Sequence, residues 1–125
     1  MSPSAQQWST TCALTRVLLV VLGALVAGCA KSDERWLAEL ADPDPFVRAM
    51  AALALCEQAP ERASAAVPVL LETVDRAELG MQSQARAALV HIGPRAGEIL
   101  RASLAADEFM TVDRRQAIEA ALGAR

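Results

Sequence analysis

The sequence predicts an all-α protein, built as a short solenoid of about six helices arranged in hairpins. Alanine, leucine, arginine and glutamate are prominent, and all four residue types favour helix. Aromatic residues make up only 3% of the chain, and tyrosine is absent, whereas sheet proteins use more aromatic and β-branched side chains. An apolar pattern also recurs along the chain, and its spacing is in the range typical of stacked helical hairpins.

The recurring pattern is clearest in the middle of the chain. The segment VRAMAALALCEQAP, from Val47, aligns with MQSQARAALVHIGP, from Met81. A further shift of nearly the same length brings RRQAIEAALG, from Arg114, into register. The shared apolar positions recur at helical spacing, which places them on one face of a helix. Further apolar stripes lie between the copies, so each unit is predicted to be a helix pair.

The first predicted helices have clear boundary signals. A short helix is expected over residues 33–40. Asp44 is the predicted N-cap of the next helix, with Pro45 in its first turn, where a missing backbone donor costs nothing. Ala59 and Pro60 are predicted to stop that helix. Pro68 fits the following helix only within its first turn or at a kink.

The second unit carries comparable signals, and one helix then completes the chain. Gly93 is predicted to end a helix in the left-handed conformation, and Pro94 to begin the next helix. The last helix, over residues 111–123, lacks a hairpin mate. Because a repeat buries its apolar face only against a neighbour, Ile118 and Leu122 are expected to be partly exposed. Self-association or docking would cover them.

These motifs resemble HEAT repeats of the short type also found in phycobilisome lyases and many bacterial proteins. DPDPFVRAMAALAL matches the aspartate-containing turn, the Val-Arg pair and the alanines, while ARAALVHIG and DRRQAIEAALG match in part. The second copy departs from the pattern, with Met81 and Gln82 in place of Val-Arg. The resemblance implies a right-handed solenoid, which we assign to residues 33–123.

The amino-terminal segment has the character of a secretory signal. Arg16 precedes the apolar run Val17–Ala27, whose eleven residues are too few for a membrane-spanning helix of about 20. The run ends in a motif that resembles the lipobox of bacterial lipoproteins at all four positions. Those positions are Val26, Ala27, Gly28 and Cys29. The resemblance implies removal of residues 1–28 and a diacylglyceryl group on Cys29, with residues 29–32 as a lipidated tether.

The predicted lipid determines the predicted location. Each buried methylene contributes about 0.8 kcal/mol, so two or more acyl chains hold a protein stably at a membrane. In bacteria with two membranes, lipoproteins with aspartate after the cysteine stay at the inner membrane. Ala30 is not that signal, so the resemblance implies the periplasmic face of the outer membrane. The alternatives are an uncleaved signal anchor and an ordinary secretory signal with Cys29 as a buried thiol.

The charge of the remaining 97 residues disfavours some partners. Loss of residues 1–28 removes one of the 12 basic residues, Arg16, and none of the 15 acidic ones, which leaves a net charge near −4. That charge argues against nucleic acid and against a basic patch for anionic lipid. The predicted partners are the lipid bilayer, through Cys29, and another envelope protein, with a homo-oligomer as a further hypothesis.

The sequence predicts no enzymatic activity. His91 is the only histidine, and no second histidine or cysteine pair stands at metal-binding spacing. Cys56 lies in an alanine- and leucine-rich helix, where a thiol usually packs as a small hydrophobe. We therefore expect no metal, and no cofactor apart from the covalent lipid on Cys29.

The leading functional hypothesis is a lipid-anchored scaffold for protein–protein interaction in the cell envelope. Arg48 and Arg86 are the candidate partner-binding residues, although solvation is the commoner fate of such side chains. The HEAT resemblance also implies an Asp-to-Arg contact between adjacent turns, from Asp44 to Arg48 or from Asp113 to Arg115. The alternatives are an accessory subunit of an envelope protein-modifying enzyme, by analogy with lyase-associated HEAT-like proteins, and a self-assembling structural protein.

Overall fold

Between residues 32 and 123 the chain folds into helices joined by short connections. A computed structural model describes these residues, and residues 1–31 and 124–125 lie outside the described part. The all-α prediction is confirmed there. Five α-helices and two 3₁₀ helices follow one another in this order: α1 Asp33–Glu39, α2 Pro45–Gln58, the 3₁₀ helix Pro60–Ala66, α3 Val67–Asp75, the 3₁₀ turn Ala77–Leu79, α4 Gln82–Ala106 and α5 Val112–Gly123.

Helix α2 begins and ends at the predicted signals. Asp44 has an extended backbone, and its Oδ1 accepts a hydrogen bond from the amide of Phe46 at 2.9 Å. Pro45 is the first helical residue. At the other end, the backbone of Ala59 leaves the helix with φ −137° and ψ 65°, and Pro60 begins the 3₁₀ helix. Pro68 lies in the first turn of α3, as predicted.

The second unit differs from its prediction. Residues 82–106 form one continuous helix, α4, of 25 residues with Pro94 inside it, rather than two helices separated at Gly93. Among the residues that the structure describes, Gly80 is the only one with a positive φ, so the predicted left-handed role of Gly93 is wrong. The merger of two predicted helices explains why the described chain has five α-helices where about six were expected.

Gly93 has a different role, which is to let two helices approach closely. A Cβ placed on Gly93 would lie 2.3 Å from the backbone carbonyl oxygen of Ala121 in α5. That distance is far inside van der Waals contact. Helix α5 therefore crosses α4 at a separation that only glycine permits.

The helices share one hydrophobic core. Helix α1 packs on α2, α2 on the 3₁₀ helix and α3, α3 on α4, and α4 on α5. Elements two apart in the chain also touch, namely α2 with α4 and α3 with α5. The largest fully buried aliphatic side chains come from all of the last four α-helices: Leu55, Val67, Leu70, Val74, Leu89, Ile92, Leu100 and Ile118. All of these helices belong to one compact unit, Ser32–Arg125.

Helix α5 is packed more completely than the sequence suggested. Ile118 is completely buried, together with Ala117 and Ala121, so the expected partial exposure of Ile118 is wrong. Leu122 is partly buried, as predicted. Helix α5 needs no hairpin mate because it lies against both the long α4 and α3. Within residues 32–123, no helix combines the length and hydropathy needed to cross a membrane.

Candidate functional site

The predicted lipid site precedes the described part of the chain. Val26, Ala27, Gly28 and Cys29 all lie outside it. The described chain begins at Ser32, shortly after Cys29, and helix α1 starts at the next residue. Glu34, in the first turn of α1, forms an exposed ion pair with Arg62, at 2.9 Å. Since Arg62 follows the carboxyl end of α2, the start of the domain lies beside that end.

Arg48, the first candidate partner-binding residue, is engaged within the domain. Its guanidinium makes two hydrogen bonds to the carboxylate of Glu72, and its Nη1 donates to the carbonyl oxygen of Asp42 at 2.7 Å. Only 19% of its side chain is exposed. The hydrogen bond to Arg48 lowers the pKa of Glu72 and raises the pKa of Arg48. The HEAT resemblance predicts a contact from Asp44 to Arg48. In the structure, the carboxylate of Asp44 accepts the capping hydrogen bond from the amide of Phe46 at the start of α2.

Arg86, the second candidate, is more accessible. Its Nη2 lies 3.1 Å from Oδ1 of Asp113, and the two side chains are 44% and 58% exposed. Water therefore screens this ion pair strongly. Arg48 joins α2 to α3, whereas Arg86 joins α4 to α5, so the two candidates bridge different helices.

Cys56 and His91, the candidates for a nucleophile and a general base, lie in different environments. Cys56 is buried in the core, and burial raises the pKa of its thiol to about 11. A thiol with that pKa is protonated near neutral pH and is a poor nucleophile. Because Cys56 is buried in the core, its predicted packing role is confirmed. His91, by contrast, is exposed on α4. No group of three His, Cys, Asp or Glu side chains between residues 32 and 123 could hold a metal ion.

A surface cleft of about 260 Å³ opens beside the carboxyl end of α4. Helix α3 forms one wall, the last turn of α4 forms another, and the start of α5 completes it. The lining is mostly apolar: Pro68, Leu71, Ser103, Ala106, Asp107, Met110 and Arg114. Such a space suits an apolar side chain with a polar group near its edge.

Asp75 holds the polar wall of this cleft in position. Its Oδ2 accepts a hydrogen bond from Nε of Arg114 at 2.9 Å, and its Oδ1 accepts one from the hydroxyl of Thr111 at 2.6 Å. The same Thr111 oxygen accepts a hydrogen bond from the amide of Arg114 at 3.2 Å, which caps α5. Asp75 therefore fixes the start of α5 against the end of α3, and its charge balances that of Arg114.

The loop between α4 and α5 exposes large apolar side chains beside the cleft. Phe109 is 93% exposed and Val112 is 69% exposed. In the chain they bracket Met110, which lines the cleft and packs against the core. Asp107 and Glu108 precede them, and Oδ1 of Asp107 accepts a hydrogen bond from the amide of Phe109 at 3.0 Å. The loop thus combines an apolar surface with an acidic edge.

Sequence reasoning did not identify this loop or the cleft. The segment DEFMTV, residues 107–112, contains three large apolar residues outside the repeated apolar stripes. Large apolar residues in a short connection between two amphipathic helices were the available signal. The cleft itself depends on the crossing of three helices, which the local pattern does not specify.

Comparisons with protein-family models, curated proteins and solved structures found no significant match.

Proposed function

We propose that this protein is a bacterial lipoprotein whose helical domain is a protein–protein interaction module of the cell envelope. The observation that carries this proposal is the lipobox ending at Cys29, directly before a helical domain whose first helix begins at Asp33. Two or more acyl chains on Cys29 would hold the domain stably at the bilayer. The short tether spans about 10 Å at most. The domain would therefore lie close to the lipid headgroups, on the periplasmic face of the outer membrane.

We further propose that the domain is a HEAT-like solenoid. Its elements pack in chain order, and elements two apart also touch, as expected for stacked hairpins. Two side chains at matching positions also make comparable hydrogen bonds, one to the turn before α2 and one to the end of α3. Arg48 and Gln82 occupy matching positions in the two aligned copies, and each reaches back to a carbonyl oxygen before its helix. Arg48 contacts Asp42 at 2.7 Å, and Nε2 of Gln82 contacts Val74 at 2.6 Å.

A role in binding fits the chemistry of the described side chains better than a role in catalysis. The thiol of Cys56 is buried and protonated, and the guanidinium of Arg48 bonds to other parts of the domain. The accessible features are an apolar cleft, an apolar loop and the solvent-facing Arg86. The self-assembly alternative loses its main support, because Ile118 is buried within the domain.

Mass spectrometry of the amino-terminal peptide tests the anchoring. Full-length chain produced in its native host should yield a peptide that begins at Cys29 and carries the mass of a diacylglyceryl group. The Cys29→Ser variant should lose this mass, because serine offers no thiol for the lipid. Cys56→Ser is the matched control and should remain lipidated. An intact leader or a free thiol at Cys29 would refute the proposal.

In-cell crosslinking tests the interaction role. The lipidated chain should crosslink reproducibly to one or a few envelope proteins, and the same bands should weaken with Cys29→Ser, because anchoring raises the local concentration of partners. Crosslinks that are absent, or that do not depend on Cys29, would contradict a scaffold at the membrane.

A further inference from the structure

We propose that the loop between α4 and α5, together with the adjacent cleft, binds a peptide segment in which a large apolar side chain is flanked by Lys or Arg. This surface, called the docking patch below, consists of Phe109, Met110 and Val112 with the acidic edge formed by Asp107 and Glu108. The inference rests on the proposed interaction function and defines the chemistry of the partner.

The apolar part of the docking patch provides the driving force for binding. A single exposed apolar side chain is common on a protein surface, but here Phe109 in the loop and Val112 at the start of α5 are both strongly exposed beside an apolar cleft. Covering them with another apolar side chain would remove their surface from water. The cleft volume, about 260 Å³, is below the range of about 300–1,000 Å³ for small-molecule pockets, so it fits a side chain better than a free ligand.

The docking patch is held in shape before any partner arrives. At one end, Asp107 accepts the hydrogen bond from the amide of Phe109 at 3.0 Å. At the other end, Thr111 bonds to Asp75 at 2.6 Å and caps α5. Met110 packs against the core between these two points. A preorganised loop loses less conformational entropy on binding than a disordered one.

Charge selects a basic partner. The charged residues of the loop itself, Asp107 and Glu108, are both acidic, and the acidic Asp113 that follows is paired with Arg86. Arg114, at the cleft wall, is balanced by Asp75, with Nη2 and Oδ2 at 2.7 Å. Asp107 and Glu108 therefore set the charge at the edge of the patch. A Lys or Arg beside the apolar anchor of the partner would complement them and favour this partner over others.

The same charges disfavour two other occupants. An anionic lipid surface would meet the acidic edge and be repelled by it. A second copy bound through its own docking patch would bring Asp107 and Glu108 of both copies together, which is also unfavourable. A peptide of opposite charge avoids both conflicts.

Selection from a random peptide library tests the inference on the protein as purified from its native host, in detergent micelles. Enriched peptides should contain a large apolar residue within two positions of Lys or Arg. The double variant Phe109→Ser, Val112→Ser should weaken their binding at least tenfold, and its fold should be unchanged because both side chains are largely exposed. Ile99→Ser, on the neighbouring helix and 41% exposed, is the matched control and should change binding less than twofold.

Charge reversal provides the second arm of the test. Glu108→Lys should shift the selected peptides away from Lys and Arg and toward Asp and Glu, whereas Glu98→Lys on α4 should leave the selection unchanged. Selection of peptides without basic residues, loss of binding with Ile99→Ser, or no enrichment at all would overturn the inference. So would Phe109-dependent binding to anionic phospholipid vesicles, or a Phe109-dependent dimer.

These outcomes can be separated from failure of the proposed function. Peptide binding that is insensitive to Phe109→Ser, Val112→Ser would refute the docking patch and leave an interaction module standing. An unmodified Cys29 would refute the lipid anchor and leave the peptide result unaffected.

Discussion

Pro60 and Pro94 occupy equivalent positions in the two aligned repeats, yet the helix ends before the first and continues through the second. The residue before each proline differs. Ala59 leaves the helical conformation, with φ −137° and ψ 65°, whereas Gly93 remains inside α4. A proline ring clashes with the Cβ of a preceding helical residue, and glycine has no Cβ. The comparison indicates that the residue before the proline decides whether the helix continues.

The two junctions have different consequences for packing. At the first, the chain turns into the 3₁₀ helix and then α3, which packs against α2. At the second, α4 continues to about 37 Å in length at 1.5 Å per residue. Its buried residues form one uninterrupted stripe through the proline: Ala85, Leu89, Ile92, Gly93, Ala96 and Leu100. This stripe provides the surface on which α5 packs.

The largest expected effect comes from restoring a Cβ at the second junction. Gly93→Ala would place this atom 2.3 Å from the carbonyl oxygen of Ala121 and also reintroduce the clash with Pro94. We expect a loss of about 4 kcal/mol in the free energy of unfolding, at the upper end of overpacking costs. Urea denaturation of the purified chain measures it.

Gly97→Ala is the control for that variant. At Gly97 the nearest atoms to a new Cβ belong to the flexible side chain of Arg101, at 3.4 Å, so a small gain in stability of about 0.5–1 kcal/mol is expected. Equal stabilities for the two variants would show that the close approach of α5 to Gly93 is not required.

A second prediction concerns the packing of α5 on the long helix. Ile118→Ala should reduce the free energy of unfolding by about 3 kcal/mol, because the fully buried side chain would leave a cavity. Leu122→Ala, at a partly buried position on the same helix, should cost less than half as much. Thermal or urea unfolding distinguishes the two. A negligible effect of Ile118→Ala would mean that the face of α5 is open, as the sequence alone suggested.

The two prolines should respond with opposite signs to the same substitution. Pro94→Ala restores a backbone hydrogen-bond donor inside α4 and removes the proline ring. We therefore expect the free energy of unfolding to rise by about 2 kcal/mol. Pro60 is at the first position of the 3₁₀ helix, and Pro60→Ala mainly raises the conformational entropy of the unfolded chain. We therefore expect the free energy of unfolding to fall by about 0.7 kcal/mol. Paired denaturation curves measure both changes. Changes of the same sign would contradict the comparison.

The smallest predicted effect concerns the ion pair between α2 and α3. The pKa of Glu72 is lowered chiefly by its hydrogen bond to Arg48, so the stabilisation is complete above the unfolded pKa of about 4.3 and is lost as pH falls through the lower folded pKa. Glu72→Gln should cost about 1 kcal/mol at pH 7, and progressively less as pH falls through the lowered pKa of Glu72. Asp113→Asn, which breaks the exposed pair with Arg86, should cost less than about 0.5 kcal/mol at either pH. A loss for Glu72→Gln that is independent of pH would refute the assignment.

Local signals predicted the boundaries of α2 and the start of α3 well, because each acts over a short stretch of chain. Asp44 caps α2 through the amide of Phe46, Ala59 and Pro60 end it, and Pro68 fits the first turn of α3. The prediction of helix throughout the described residues followed from composition and apolar spacing. The resemblance to a lipobox at Cys29 also rests on a contiguous motif, and it stays a prediction.

Other features could not be predicted because they depend on contacts between distant segments. Glycine before proline is typical of a helix end, so the sequence predicts that α4 stops at Gly93. The reason for a glycine at this position within a helix is the close approach of Ala121, which the local sequence does not show. The burial of Ile118 requires the long surface of α4. The cleft forms only where α3, α4 and the start of α5 meet, so neither Met110 nor Arg114 could be assigned to it from local sequence.

The sequence by itself determined the helical class and the boundaries of α2, because caps and prolines act between near neighbours in the chain. The tertiary structure decided the continuity of α4, the burial of α5 and the shape of the docking patch. The physical reason is that these features depend on which backbone and side-chain atoms from distant parts of the chain lie against each other, and distances of that kind are set only when the helices pack.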